Sequence, residues 1–218
     1  MRDILIPKKI KFEKARFGSK FDGGYIFAKT DLIDYKIFGF GVNNDISCEV
    51  SLNDYFKGTV DLFDGTCDFN YKLPLNFSYN KINIDKNNIN EILKCDKPII
   101  LKMDIEGYEY ECLSNLNDEI LNNIHQIGVE FHLWNESGYS MEEFYKIILK
   151  IQKTHKIFHI HGNNNFGIYR DSIPHLLELS FINKKLCDLN DNDNGEYPVL
   201  NLDFPNVPHK EELYFKWW

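Results

Sequence analysis

Six short runs of strand length and composition, several of them separated by stretches with helical spacing, constrain this chain more than any other feature. They are Tyr35–Phe40, Thr59–Phe63, Phe77–Ile82, Pro98–Met103, Gln126–Phe131 and Lys156–Ile160. Runs this short and this rich in Ile, Val and Phe read as strands. Tyr108–Leu116 and Met141–Ile151 follow the fourth and fifth runs with apolar residues on one helical face: Tyr108, Cys112 and Leu116, then Phe144, Ile147, Ile148 and Ile151. Ser140, with Glu143 three residues on, predicts a capping box for the second helix. Strand–helix alternation of this kind implies a parallel sheet covered on both faces. His175–Asn183 follows the sixth run with only a short Asn-rich stretch between, so it predicts a hairpin and an antiparallel strand added last. The stretches Asp85–Asn90, Asn163–Asn165 and Asn190–Asn194 read as loops, because Asn tolerates turns and competes with regular backbone pairing. Pro198, Pro205 and Pro208 predict an extended or turn-like tail, ending in Trp217 and Trp218 packed on the body.

A chain of 218 residues suits a single domain: an N-terminal segment, 1–34, then the sheet-forming body, 35–218. Twenty-five Lys and Arg against 33 Asp and Glu leave a net charge of −8. That balance argues against gripping a nucleic-acid backbone, which needs clustered cations. No apolar run approaches the roughly 20 residues that span a bilayer, and the N-terminus lacks the apolar core of a signal peptide. Five scattered cysteines without a Cys-x-x-Cys pair read as reduced thiols, which favours a cytoplasmic location.

In an open parallel sheet, ligands bind beyond the C-terminal strand ends, where strand order reverses. Off the first run lie Gly39-Phe40-Gly41-Val42-Asn43-Asn44-Asp45, whose alternate glycines let backbone approach a ligand, with Asp45 or Ser47 placed to open a helix. Off the second lies Asp64, about twenty residues beyond the glycine turn, as suits an acid that bonds a ribose diol. An ordinary strand–helix turn and a capping Asp explain these two features equally well one at a time; together they suggest an adenosine-type ligand. Off the fourth lie Asp104 and Glu106, off the fifth Glu130 and His132, and off the sixth His159, His161, Asn163 and Asn164. His159 is read as a structural histidine, and His161 as the one nearer the strand end.

The segment Leu101-Lys102-Met103-Asp104-Ile105-Glu106-Gly107-Tyr108-Glu109, continuing to Leu113, resembles the signature of the FkbM family of S-adenosylmethionine-dependent methyltransferases. Asp22–Tyr25, Phe38–Ile46, Glu130–His132, His161–Asn164 and Leu177–Leu179 resemble the family in order and spacing, over roughly residues 20 to 206. The glycine loop departs from the family's acidic-x-Gly-x-Gly-x-Gly pattern. The resemblance implies a class I Rossmann-like fold, α/β, with a seven-stranded mostly parallel sheet and an antiparallel last strand. It also implies S-adenosylmethionine as donor and a sugar hydroxyl as acceptor, on a nucleotide-activated sugar or a surface-glycan precursor.

On that reading Gly39, Gly41, Asn43, Asp45, Asp64, Asp104 and Glu106 hold the donor, and Tyr25, Trp134, Asn163 and Asn164 meet the acceptor. A carboxylate against the sulfonium would stabilise the ground state more than the transition state, so the acids belong at the donor's edges. His161 and His132 are the candidate bases, with Asp104 and Glu130 assisting. Asp104, Glu130 and His132 could also bind a divalent metal, which the residues alone leave open. Residues 17–25 are expected to fold over the cofactor, with Arg16 or Lys20 meeting an anionic group. The expected partners are a small-molecule acceptor and, where the chain self-associates, a second copy in a homodimer. An NAD(P)-dependent oxidoreductase is disfavoured by the missing Gly-x-Gly-x-x-Gly turn. A non-catalytic glycan-binding module, using Trp134, Tyr139, Trp217 and Trp218, is the remaining reading.

Overall fold

The structure is a computed structural model that describes residues 2–31, 33–69, 72–133, 140–169 and 172–214. Trp134, Tyr139, Trp217 and Trp218 lie outside these.

Seven strands form one sheet: β3 (Lys36–Phe40), β4 (Thr59–Phe63), β5 (Phe77–Asn80), β6 (Ile99–Met103), β7 (Ile124–His132), β8 (His155–Ile168) and β9 (Pro174–Asn183). Their order is β5-β4-β3-β6-β7-β9-β8. Pairing is parallel from β5 to β7, and β9 runs antiparallel to both β7 and β8. This is the expected α/β, Rossmann-like arrangement with an antiparallel last strand. The order reverses between β3 and β6, which opens a crevice at their C-terminal ends.

Alternation along the strands divides the core. Phe38, Phe40, Leu101 and Met103 pack on one face with Tyr110 and Leu113 of α3 (Glu109–Asn115) and Phe144 and Ile148 of α5 (Met141–Ile151). Ile37, Val60, Leu62 and Ile100 pack on the other with Leu52 and Phe56 of α1 (Ser47–Phe56). The expected capping box is present at α5, where Ser140 and Glu143 bond each other's backbone. Two short helices, α2 (Ile89–Ile92) and α4 (Asp118–Asn123), complete the connections.

The N-terminal segment contributes a hairpin that periodicity did not reveal: β1 (Lys14–Phe17) paired antiparallel with β2 (Tyr25–Ala28). It joins the α1 face because its polar edge is met from the sheet. Gln126 both donates to Ala28 O and accepts from Ala28 N, and Ser180 donates to Ile26 O.

Two expectations are corrected. The sixth strand runs on to Ile168, because β9 pairs with it through Asn163 and meets it again at Ile168. Asn163 and Asn164 therefore sit within a strand and are buried. The tail is made of turns and bends, as expected, but it is tied to β8 and β9 by buried polar groups. Asp203 meets His159, and Asn164 bonds the backbone of Val207, Lys210 and Glu211.

Candidate active site

A cavity of about 560 Å³ opens over the C-terminal ends of β3, β4 and β6. Gly41 turns the chain there with φ of 69°, and a Cβ on it would lie 1.6 Å from the carbonyl oxygen of Asp104, so only glycine fits. The Asn43 N–H then donates to Asp64 Oδ2 at 2.8 Å. Asp64 Oδ1 accepts from the Thr66 N–H, the Thr66 hydroxyl and the Cys67 N–H. Burial opposes the charge on Asp64, but these donors outweigh it and lower its pKa. Asp64 thus ties the ends of β3 and β4 together and lines the cavity.

At the end of β6, Glu106 and Gly107 both adopt positive φ, which turns the chain sharply into α3. Glu109, the first residue of α3, is fully buried. It accepts hydrogen bonds from Ile105 N–H and Gly107 N–H and bonds His132 Nδ1 at 3.1 Å. The other ring nitrogen, Nε2, lies 3.4 Å from Glu106, 3.6 Å from Glu130 and 3.8 Å from Asp104. Burial works against a charge on this imidazole, but Glu106, Glu109 and Glu130 raise its pKa to about 11. Glu130 is buried and bonded by Asn163, and burial together with Asp104 and Glu178 pushes its pKa well up. Asp104 lines the cavity and accepts from the Tyr25 hydroxyl at 2.9 Å. Asp104, Glu130 and His132 each place one ligand atom within 4.8 Å of the others. They are the residues that could hold a divalent cation, whose contribution would be to lower the pKa of a coordinated hydroxyl.

A family model, the methyltransferase FkbM domain, matches residues 29–162. The chain belongs to that family. No curated protein matches it. Solved structures with a similar chain path include a fibrillarin/Nop5p complex, at 10% identity and TM-score 0.41, covering 69% of this chain and 73% of that one. MycE methyltransferase from the mycinamycin biosynthetic pathway, in complex with Mg, SAH and mycinamycin VI, aligns at 13% identity and TM-score 0.40, over 76% and 48%. A precorrin-6y C5,15-methyltransferase from Geobacter metallireducens aligns at 7% identity and TM-score 0.40, over 71% and 82%.

The donor of this FkbM-domain methyltransferase is S-adenosylmethionine, and the cavity suits it. Phe63, Ile82, Ile84 and Ile105 provide apolar walls for a purine, and Asp22, Asp45, Asp64 and Asp104 an acidic surround for a cationic ligand. Family membership sets aside the oxidoreductase and the non-catalytic module.

Of the residues singled out in the sequence, Gly41, Asn43, Asp45, Asp64, Asp104 and Glu106 line the cavity. Gly39 does not. It lies within β3, where a Cβ would be 2.5 Å from Glu49 Oε1, so its role is to admit α1 against the sheet. His161 is also displaced from the expected role. It is 1% exposed and outside the cavity, with Nδ1 on Glu178 and Nε2 on Glu212, and its pKa is raised to about 10. An imidazolium with both nitrogens engaged cannot accept a proton from an acceptor. Asn163 and Asn164 are buried against Glu130 and the tail and do not line the cavity. Tyr25 is buried and meets the site through Asp104, on its hydroxyl, and Lys102, over its ring. Arg16 donates to Ser19 O and Phe21 O, both Arg16 and Lys20 stack over Phe204, and neither lines the cavity. Residues 17–25 do reach the cavity, through Asp22 and Gly23. Sequence reasoning missed Glu109 and the wall formed by Ile82, Asn83, Ile84 and Asp85. The wall follows β5, and the strand-end rule applied to that strand would have found it.

These histidines set the pH range of stability. His132 and His161 hold protons more tightly folded than unfolded, so their contribution is complete below pH 6.5 and fades as pH rises through about 10 to 11. His155, buried and bonded to Ile124 O, has its pKa lowered by burial to about 4, and costs stability as pH falls from 6.5 toward 4. Urea midpoints measured across pH 4 to 10 are expected to peak near neutrality and decline on both sides. A flat profile contradicts the buried ion pairs.

Proposed function

We propose that this methyltransferase is an O-methyltransferase acting on a sugar hydroxyl, on a nucleotide-activated sugar or a surface-glycan precursor. One observation carries the reading: Asp104 is the single member of the Asp104, Glu130, His132 cluster that lines the cavity. A hydroxyl placed there would donate its hydrogen bond to Asp104. A sugar hydroxyl is a weak nucleophile near neutral pH, so a group that takes its proton as the new bond forms is needed. S-adenosylmethionine supplies an electrophilic methyl group. Asp104 orients the acceptor oxygen and receives its proton. His132 stands behind it, and Glu109 fixes the ring through Nδ1. Four carboxylates around one imidazole require positive charge, carried by the His132 proton or by a divalent cation on Asp104, Glu130 and His132. Most of the acceleration comes from holding acceptor oxygen, methyl carbon and sulfur in line.

The test is mass spectrometry after incubation with isotopically labelled donor and a panel of nucleotide sugars, in parallel with and without EDTA. A labelled O-methyl sugar is the expected product, and transfer confined to amine or carboxylate acceptors would overturn the assignment. Full activity in EDTA assigns the proton to the protein groups alone. Loss restored by Mg²⁺ or Mn²⁺ assigns a metal to the three ligands.

A further inference from the structure

Lys102 interrupts the most apolar strand of the sheet, Ile-Ile-Leu-Lys-Met, and all five residues of β6 are buried. Its ammonium is costly to place there, since a buried charge needs close partners. Its side chain is 6% exposed, yet it lines the cavity. Among the described residues the ammonium makes one hydrogen bond, to Gly41 O at 2.8 Å. Asp104 lies at 3.7 Å and the Tyr25 ring centroid at 5.2 Å. An ammonium carries three N–H donors, so donor capacity remains beside the cavity.

The rest of the lining has the opposite sign: Asp22, Asp45, Asp64, Asp85, Asp104 and Glu106 all carry carboxyl groups, and Lys102 is the one cationic side chain among the described lining residues. The donor has a sulfonium, an α-ammonium and a ribose diol, each suited to acidic surroundings, and one α-carboxylate that is not. Lys102 is held against the carbonyl of Gly41, and four residues on Asp45 meets Gly23, where a Cβ on Gly23 would lie 2.6 Å from Asp45 Oδ2; all four residues line the same cavity.

We propose that Lys102 is the residue that receives the α-carboxylate of the donor, with Asp22 and Asp45 beside it for the α-ammonium. This rests on the methyltransferase reading and not on the acceptor class. Lys102 thereby distinguishes an intact amino-acid end from a truncated one.

The test is calorimetric titration of wild type and Lys102→Met with three ligands and no acceptor present. They are S-adenosylhomocysteine, its decarboxylated analogue, and 5′-methylthioadenosine, which lacks both charged groups. Wild type is expected to prefer S-adenosylhomocysteine over the decarboxylated analogue by about 10- to 100-fold, the effect of one hydrogen bond to a charged group. Lys102→Met should erase that preference by weakening S-adenosylhomocysteine alone, leaving the other two ligands as in wild type. Equal weakening of all three would make Lys102 a structural counterion of Asp104 and Glu49, and unchanged binding of S-adenosylhomocysteine would remove any role; either overturns the proposal. Should Lys102→Met not fold, Lys102→Gln takes its place, and absence of the preference in wild type is decisive by itself. Because no acceptor is used, failure here leaves the sugar-hydroxyl assignment standing, and the reverse also holds.

Discussion

Asp104→Asn is expected to lower kcat for methyl transfer by about 10²- to 10⁴-fold, the usual contribution of a positioned proton acceptor. Asn keeps the shape and can still accept the Tyr25 hydroxyl, now 2.9 Å from Oδ2. It cannot take a proton from the acceptor, and it weakens any cation site shared with Glu130 and His132. S-adenosylhomocysteine affinity, measured by calorimetry, should stay close to that of wild type, because the proposal gives Asp104 to the acceptor and Lys102, Asp22 and Asp45 to the donor's amino-acid end. Turnover like that of wild type would remove Asp104 from the reaction. Equal loss of affinity and turnover would place it in donor binding only.

Glu109→Ala is expected to have the largest effect on stability. Glu109 is fully buried, and its carboxylate accepts from Ile105 N–H and Gly107 N–H while facing His132. Removing it orphans two backbone donors and leaves a buried imidazolium with less compensation. Breaking a buried pair from one side costs about 3–5 kcal/mol, which in a domain of this size lowers Tm by roughly 6–20 °C. Glu109→Gln keeps an acceptor for the turn and should recover much of this. It should also lower the pH at which His132 loses its proton, followed by NMR titration of the ring. A His132 titration unchanged in Glu109→Gln would mean that Glu106 and Glu130 alone sustain its charge.

The parts of the fold that were legible in the sequence are those encoded locally. Thr59–Phe63 reads as a strand, and is one, because the buried Val60 and Leu62 alternate with the half-buried Thr59 and Asp61, which gives the run one apolar face. Met141–Ile151 reads as a helix because Phe144, Ile147, Ile148 and Ile151 recur at helical spacing behind Ser140. The β1–β2 hairpin was not legible. Its strands are four residues each, and their edge is satisfied by Gln126 and Ser180, about 100 and 154 positions away. Asn163 and Asn164 misled for a related reason. Asn prefers turns where water is its partner, but here Glu130 and the tail satisfy the amides, and the pairing with β9 prevails.

The candidate site divides along the same line. Strand ends and the Asp104–Glu109 block were visible because chain order in a parallel sheet decides which residues reach the ligand edge. Which histidine serves that edge was not visible. His132 and His161 both follow apolar strands, yet one stands behind Asp104 and the other between Glu178 and Glu212, residues 17 and 51 positions along the chain. By itself the sequence determined the α/β order, the glycine turn and the acidic strand ends, since these depend on spacing and composition within a few residues. Only the tertiary structure decided the charge state and task of each titratable group. A proton's affinity for an imidazole depends on burial and on carboxylates brought close by packing, and those distances exist only once the sheet, the hairpin and the tail are assembled.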